Sequence, residues 1–134
     1  LLAARSETDI NEHAREDEKL TPLHISILNG NEQIASFLLS LDGIDVNAQT
    51  KEGKTPLHQA SQRRKNINIV KLLLNHKDII LNVFTLDHLS PLHYACCKSS
   101  LEIVKMLYET GQYDINCQCD EVLNYCFFEY DYKD

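Results

Sequence analysis

The four-residue motif Thr-Pro-Leu-His constrains this 134-residue chain more than any other feature of its sequence. It occurs at residues 21–24 and 55–58, and again at residues 90–93 with Ser in place of Thr. The copies therefore begin 34 and 35 residues apart. A constant period of this length indicates a chain of stacked repeats, in which each unit buries its apolar face against its neighbours.

Two further patterns keep this period. One is an asparagine that follows an apolar residue, at positions 47, 82 and 116. The other is a stripe of apolar residues spaced as on one face of a helix, such as Ile34 with Leu38 and Ile69 with Leu73. Because three patterns share one period, each unit is predicted to contain two short helices.

The repeated motif also predicts where the first helix of each unit begins. A Thr or Ser hydroxyl can accept a hydrogen bond from an unpaired N–H at a helix N-terminus, and Pro is tolerated at the first helical position. Asn29 and Gly30 favour a helix end, since both can adopt the left-handed conformation. The stretches after positions 47 and 82 contain the turn formers Glu52-Gly53 and Asp87-His88, and are predicted to be hairpin-like connections.

At residues 55–60 and 90–95 the chain reads Thr-Pro-Leu-His-Gln-Ala and Ser-Pro-Leu-His-Tyr-Ala, which resembles the ankyrin repeat family. The first copy departs from the family pattern, because Ser26 stands where the pattern has Ala. The resemblance implies an all-α ankyrin repeat solenoid of helix-turn-helix units joined by β-hairpin-like loops. It places ankyrin repeats at residues 20–51, 52–86 and 87–120.

The remaining residues are interpreted as partial units. Residues 1–19 form a partial preceding repeat with a charged connector, and residues 121–134 form either a degenerate C-terminal cap or a truncated repeat. The final four residues, Asp-Tyr-Lys-Asp, resemble the beginning of an acidic epitope tag, although a native ending is left open. Because the chain starts at Leu1 without Met, we expect it to be a piece of a longer protein.

Charge and composition disfavour several classes of partner and location. The chain has 13 basic and 20 acidic residues, and its net charge of −7 disfavours binding to nucleic acid or anionic lipid. No apolar run approaches the roughly 18 residues of a membrane-spanning helix. Its five cysteines fit a secreted disulfide framework badly. We therefore expect an intracellular domain, cytoplasmic rather than nuclear, that is monomeric in isolation.

No catalytic or cofactor-binding motif is present, so we expect no enzymatic activity, no cofactor and no metal. The recurring histidines invite a catalytic interpretation, but a reactive site has no reason to be copied in every unit. In ankyrin repeats this histidine typically forms hydrogen bonds within the repeat framework. The positions given structural roles are Thr21, His24, Thr55, His58, Ser90 and His93.

The cysteines offer a second route to a metal, because thiolates are good zinc ligands. The candidates are Cys96, Cys97, Cys117, Cys119 and Cys126. Their spacing lacks the paired C-x₂-C arrangement of strong zinc motifs. Register favours the interpretation that they are small apolar residues, since Cys117 stands where other units have Ala48 and Val83.

The resemblance implies that the hairpin tips and the inner faces of the first helices line a concave surface that holds partners. Transferred by register, the partner-binding positions are Gln49, Lys51, Glu52, Lys54, Gln62, Arg63, Phe84, Leu86, Asp87, Leu89, Cys97 and Lys98. Phe84 and Leu86 stand where the preceding unit has polar residues, which indicates apolar contact anchors. The alternative is that both side chains fold back onto a neighbouring unit.

Arg63, Arg64 and Lys65 are the concentrated basic group of this acidic chain. They fit either a clamp for an acidic or phosphorylated peptide or a solvated turn that faces a helix C-terminus.

Taken with the resemblance, these features predict a non-catalytic protein–protein interaction module that binds a partner protein segment on the concave face. A rigid, elongated scaffold suits this task because it loses little conformational entropy on binding. The alternative is a regulatory or targeting domain of a larger multidomain enzyme or host-directed effector, whose catalytic part lies outside this chain.

Overall fold

The computed structural model describes residues 9–13, 17–98 and 101–112. Within these residues the chain forms six α-helices and no β-strand, which confirms the all-α prediction. The helices follow one another in three pairs: α1 (Pro22–Leu28) with α2 (Glu32–Leu39), α3 (Pro56–Ser61) with α4 (Ile67–Leu74), and α5 (Pro91–Lys98) with α6 (Leu101–Glu109). A 3-10 turn over Arg64–Asn66 precedes α4. None of these six helices has the length and apolar character that crossing a membrane requires.

The first helix of each pair begins at the proline of the repeated motif. Thr21 is the N-cap of α1, and its Oγ1 accepts a hydrogen bond from the N–H of His24 at 3.4 Å. Thr55 and His58 repeat this contact at 3.4 Å at the start of α3. The proline lacks only an N–H that would have no partner inside the helix. The predicted helix starts are confirmed.

The first helix of the first pair also ends where the sequence predicts. Leu28 is the last residue of α1, Asn29 is its C-cap, and Gly30 adopts a left-handed φ of +67°. This conformation lets the chain turn at once into α2. The new helix is capped by Asn31, whose Oδ1 accepts a hydrogen bond from the N–H of Ile34 at 3.1 Å.

The helices form two layers that continue from unit to unit. The first helices α1, α3 and α5 pack side by side, the second helices α2, α4 and α6 pack side by side, and each pair packs internally. The apolar core runs between the layers and includes the fully buried side chains of Leu23, Ile27, Leu57, Val70, Leu73 and Ile103. Burial between neighbouring units therefore stabilises the fold.

The periodic asparagines connect the loops of successive units. Nδ2 of Asn11 donates to the carbonyl oxygen of Gly43 at 2.8 Å, and its Oδ1 accepts from the N–H of Asp45 at 2.7 Å. Asn47 makes the equivalent pair one unit later, donating to the carbonyl oxygen of Asp78 at 2.7 Å and accepting from a backbone N–H at 2.8 Å. One side-chain amide thus pairs a backbone donor and a backbone acceptor of the next loop.

Candidate protein-docking surface

The connections between units fold into tight turns. In the second connection, the N–H of Thr50 donates to the carbonyl oxygen of Lys54 at 2.9 Å. The N–H of Gly53 donates to the carbonyl oxygen of Thr50, also at 2.9 Å. In the third, the N–H of Thr85 donates to the carbonyl oxygen of Leu89 at 2.9 Å. Residues 17–19, 50–54 and 85–89, which form the three turns, are termed the hairpin rim.

Adjacent turns of the hairpin rim are hydrogen-bonded to each other. The N–H of Lys51 donates to the carbonyl oxygen of Glu18 at 2.9 Å. The N–H of Leu86 donates to the carbonyl oxygen of Glu52 at 3.0 Å. The rim is therefore a connected row of turns rather than three independent loops. Side chains that project from it are held on an ordered backbone, which lowers the entropy cost of binding.

Each turn of the rim contains one residue in the left-handed region. These residues are Lys19 at φ 57°, Gly53 at φ 85° and His88 at φ 62°, and they occupy equivalent positions in their units. Gly53 has an additional constraint, because a Cβ atom there would lie 3.0 Å from the backbone nitrogen of Leu86. The second turn therefore favours glycine on two counts, conformation and space.

The structure brings together the four predicted partner-binding residues of the second connection. Gln49 is exposed, and its Nε2 donates to the carbonyl oxygen of Gly53 at 3.1 Å. Lys51 and Glu52 are exposed at the tip. Lys54 is only partly exposed, with its Nζ 3.0 Å from Oε2 of Glu52. Because Lys54 and Glu52 pair with each other, each presents less net charge to a partner.

The predicted apolar anchors lie in the third turn and directly before it, and their exposure differs. Leu86 is 72% exposed, whereas Phe84 is 37% exposed. Asp87, beside them, is exposed. The alternative in which the apolar side chains fold back onto a neighbouring unit therefore describes Phe84 in part and does not describe Leu86.

The prediction that Leu89 contacts a partner is wrong. Its side chain is 6% exposed, so it offers almost no surface to another molecule. Its backbone is engaged as well, since its N–H donates to Oγ1 of Thr85 at 3.1 Å and its carbonyl oxygen accepts from Nε2 of His58 at 2.9 Å. Leu20, at the equivalent position of the first turn, is also buried. The residue before the helix cap is therefore buried in the first and third units, whereas Lys54, at the same position of the second unit, is partly exposed.

The remaining predicted binding residues lie at the ends of first helices. Gln62 is the half-buried C-cap of α3. Arg63 is exposed, and its Nη1 donates to the carbonyl oxygen of Leu28 at 3.2 Å, at the C-terminus of α1. A cation there is favoured by the helix dipole. Lys98 is the last residue of α5, and its side chain lies outside the described part of the chain.

His24 and His58 are fully buried and connect each unit to the next. Nδ1 of each ring accepts the N–H of its N-cap threonine, at 3.1 Å for His24 and 3.0 Å for His58. Nε2 of each ring lies near a carbonyl oxygen of the following turn, 3.3 Å from that of Lys54 and 2.9 Å from that of Leu89. A ring that accepts at Nδ1 and donates at Nε2 is neutral.

The electrostatics agree with neutral rings. Burial lowers the pKa of His58 from 6.5 to about 4, and burial also lowers the pKa of His24. Nδ1 of His93 accepts the N–H of Ser90 at 3.0 Å, as in the earlier units. With both nitrogens of His24 and His58 engaged in the framework, these rings have no free nitrogen for a substrate or a metal.

The cysteines divide between the described and undescribed parts of the chain. Cys96 has a free, exposed thiol, and Cys97 is disulfide-bonded. Cys117, Cys119 and Cys126 lie outside the described residues. Across residues 9–13, 17–98 and 101–112, no three His, Cys, Asp or Glu side chains are grouped as a metal site requires.

Gln59, which the sequence did not single out, borders a cavity. Gln59, on α3, lines a cavity of about 260 Å³ together with residues of the first two turns. It stands at the variable position between the His and Ala of the repeated motif, where the other units have Ile25 and Tyr94. Its polarity at a position that is otherwise apolar or aromatic was the available signal.

The comparisons with known proteins agree with this geometry. The family model described as ankyrin repeats (3 copies) matches the chain over residues 1–84 and 41–119. Human Rabankyrin-5 is 41% identical over 85 residues, which are 63% of this chain and 7% of that protein. A probable serine/threonine-protein kinase of Dictyostelium discoideum is 38% identical over 81 residues, which are 58% of this chain and 9% of that protein.

For a third relative, the matched region is a larger share of the relative's own length. An ankyrin repeat-containing protein of Schizosaccharomyces pombe is 32% identical over 96 residues, which are 71% of this chain and 41% of that protein. The chain thus spans less than a tenth of the first two relatives and less than half of the third. Ankyrin repeats are protein-interaction modules and are generally non-catalytic. From its repeated motif, its paired helices and the match to the family model, this chain belongs to the ankyrin repeat family.

Proposed function

We propose that this chain is a non-catalytic module that binds a segment of a partner protein along the hairpin rim and the first-helix layer, the concave face of an ankyrin solenoid. The observation that carries the proposal is Leu86, which is 72% exposed although its backbone N–H is bonded to Glu52. A leucine in this position stabilises the fold little. Covering it with a partner removes apolar surface from water at a small cost in ordering.

Phe84 extends the apolar contact. It is 37% exposed and lies two residues before Leu86, directly before the third turn. Complete burial of one such side chain is worth about 2 kcal/mol, which is the size of contribution that a binding anchor makes. The two residues together therefore form an apolar centre for the proposed interface.

Charge at the ends of the first helices adds an electrostatic preference. Arg63 is exposed beside Arg64 and Lys65, so this group attracts acidic side chains of a partner. Lys54 contributes less to this preference, because Oε2 of Glu52 lies 3.0 Å from its ammonium nitrogen. In this proposal the partner is a protein, because the net charge of −7 disfavours nucleic acid and anionic lipid. The isolated domain is proposed to be monomeric, intracellular and cytoplasmic.

A second candidate role is that of a regulatory or targeting domain within a larger enzyme or host-directed effector. The similarity to a probable serine/threonine-protein kinase, of which the matching region is 9%, favours this candidate. Here the same surface would bind either a separate partner or a segment of the enzyme itself. The sequence that flanks this chain in its parent protein distinguishes the two roles.

Selection from a random peptide library displayed on phage tests the docking proposal. Peptides enriched on the 134-residue chain are synthesised, and their affinities are compared for the wild type, for the double variant Phe84→Ser with Leu86→Ser, and for Phe37→Ser. Phe37 is a matched control, because it is 62% exposed but lies on α2 in the second-helix layer.

We expect the double variant to melt within a few degrees of the wild type and to bind the enriched peptides at least tenfold more weakly. Phe37→Ser should leave their affinity unchanged. Equal affinity for all three proteins, or no enrichment above an unrelated protein, contradicts the proposal.

A further inference from the structure

Ile34, on α2, is exposed at a position that the other two units bury. Its side chain is 49% exposed, whereas the equivalent residues Ile69 on α4 and Ile103 on α6 are 2% and 0% exposed. The residue is isoleucine in all three units, so residue type does not account for the difference. The neighbours do differ: α4 packs against α2 and α6 packs against α4, whereas in the described part of the chain no helix precedes α2 in the second-helix layer.

Phe37, also on α2, shows the same difference. It is 62% exposed, whereas the equivalent residues Leu72 and Met106 are half-buried. Ile34 and Phe37 are three residues apart, so they are neighbours on one side of the helix and are termed the open face of α2. The end units of a repeat array require a polar outer face for solubility. The first unit, with two exposed apolar residues here, is therefore built as an internal unit.

We propose that the open face of α2 binds the second helix of a further ankyrin repeat unit, which precedes this chain in its parent protein. This inference goes beyond the proposed docking function and does not depend on it. Its consequence for that function is that the added unit would contribute another turn to the hairpin rim.

The first argument is that residues 9–11 already contact the first unit as the closing loop of a preceding unit would. Their sequence, Asp-Ile-Asn, matches Asp-Val-Asn at residues 45–47. In both triplets the Asp carboxylate accepts the N–H of the Asn, at 2.9 Å in the first and 3.1 Å in the second. The side chain of Asn11 then bonds to the loop of the first unit as that of Asn47 bonds to the loop of the second. The interface between units therefore continues on the open side of the first unit.

The second argument is register. α2 ends at Leu39 and α4 ends at Leu74, each eight residues before the periodic asparagine of its unit. The same spacing counted back from Asn11 places most of the added helix before Leu1. A helix in that register would lie beside α2 as α2 lies beside α4, and would cover Ile34.

The third argument concerns the driving force and the choice of occupant. Covering Ile34 and Phe37 removes apolar surface from water, as burial between the described units does. A preceding unit is favoured over a second copy of the chain, because residues 9–11 already hold the position of its loop. A helix joined to that loop meets α2 at a high effective concentration, which a separate molecule does not.

An extended chain tests this inference. A copy of residues 54–74, the helix pair of the second unit, replaces residues 1–3, so that the copied second helix ends in the register described above. Ile34→Cys is introduced into the extended chain and into the 134-residue chain. Alkylation of the new thiol by iodoacetamide is followed by mass spectrometry of proteolytic peptides.

Gln33→Cys is the matched control on α2. Its equivalents Asn68 and Glu102 are exposed even though a unit precedes theirs, so an added unit should leave position 33 accessible. The free, exposed thiol of Cys96 is the internal reference in every chain. We expect the extension to slow alkylation at position 34 by about tenfold or more, and to change the rates at position 33 and at Cys96 by less than about twofold.

A second extended chain, in which the copy is residues 20–39, serves where the first does not fold. Failure of both extensions to slow the reaction at position 34 overturns the inference. Protection of that position in the 134-residue chain that rises with protein concentration assigns the open face to a second copy, and also overturns it.

The sequence of the parent transcript before the codon for Leu1 gives a check that does not depend on folding. We expect a copy of the repeated motif roughly 15 residues before Leu1, followed by an apolar stripe of helical spacing. An upstream sequence without that stripe contradicts the inference. Peptide binding that requires Leu86 is unaffected by either outcome, so the docking function stands or fails separately.

Discussion

The backbone N–H of Leu86 donates to the carbonyl oxygen of Glu52 at 3.0 Å, so the third turn of the hairpin rim is attached to the second. This bond lies immediately beside Gly53, the left-handed residue of the second turn. The exposed apolar side chain of Leu86 is therefore positioned by the backbone of the preceding unit. A substitution at Gly53 should alter the position of Leu86 in the proposed docking surface.

Gly53→Ala should destabilise the chain by about 2 kcal/mol. The new Cβ atom would lie 3.0 Å from the backbone nitrogen of Leu86 and would also require a left-handed φ of +85°. Gly43→Ala is the matched control, because Gly43 has a similar φ of +81° and nothing within 4 Å of its Cβ position. Urea denaturation should show a loss of about 1 kcal/mol for the control. Equal losses in the two variants would show that the close approach has no energetic effect.

Lys19→Gly should stabilise the chain by about 0.5 to 1 kcal/mol. Lys19 adopts φ 57° at the position where the second unit has Gly53, so glycine relieves a left-handed strain. Part of the gain is lost because glycine makes the unfolded chain more flexible. Lys77→Gly is the control at an exposed lysine outside the positive-φ positions, and it should lower the urea midpoint. A lower midpoint for Lys19→Gly contradicts the assignment of strain to this turn.

Asn47→Ala should cost about 1 to 2 kcal/mol, since its amide makes two hydrogen bonds to the next loop, at 2.7 and 2.8 Å. Asn68→Ala is the comparison, because Asn68 is exposed and its single hydrogen bond to Glu32 is 3.3 Å long. That variant should lose about 0.5 kcal/mol or less. Thermal and urea unfolding that rank the two variants in the opposite order would contradict the role given to the periodic asparagines.

Stability should fall as the pH is lowered from about 6.5 towards 4. Unfolded His58 takes up a proton near its ordinary pKa of 6.5, whereas in the folded chain the pKa is lowered to about 4. Between these values the unfolded state binds more protons, and His58 alone should remove about 2 kcal/mol by pH 4.5. Burial also lowers the pKa of His24, which acts in the same direction.

Urea titrations at a series of pH values check this prediction. His58→Gln should be less stable than the wild type at pH 7, because both ring nitrogens make framework hydrogen bonds. Its stability should then fall less steeply between pH 7 and 4.5. Parallel pH profiles for the two proteins would show that His58 does not supply the acid sensitivity.

Local chemistry made the helical framework predictable from the sequence. Thr21 and Pro22 determine where α1 begins, because the hydroxyl cap and the missing N–H both act within one helical turn. Asn29 and Gly30 end α1 for an equally local reason. Each signal needs only neighbouring residues, and the constant period then indicates how the units follow one another.

The surface was harder to predict because it depends on contacts between units. Register places Leu89 on the binding surface because its equivalent in the preceding unit is Lys54, which is partly exposed. Leu89 and its other equivalent, Leu20, are both buried. Asn47 was visible as a periodic marker, but its role requires knowing that the loop at Asp78 stacks beside it. The cavity at Gln59 depends on two turns and two helices that are distant in sequence.

In the proposed docking mode, the hairpin rim and the first-helix layer bind a protein segment while the second-helix layer does not. The most direct measurement is the backbone amide NMR shift map of the chain saturated with an enriched peptide. We expect the largest changes at residues 50–54 and 84–87 and in the first helices α1 and α3. Changes concentrated on α2, α4 and α6, with the rim unaffected, would contradict it.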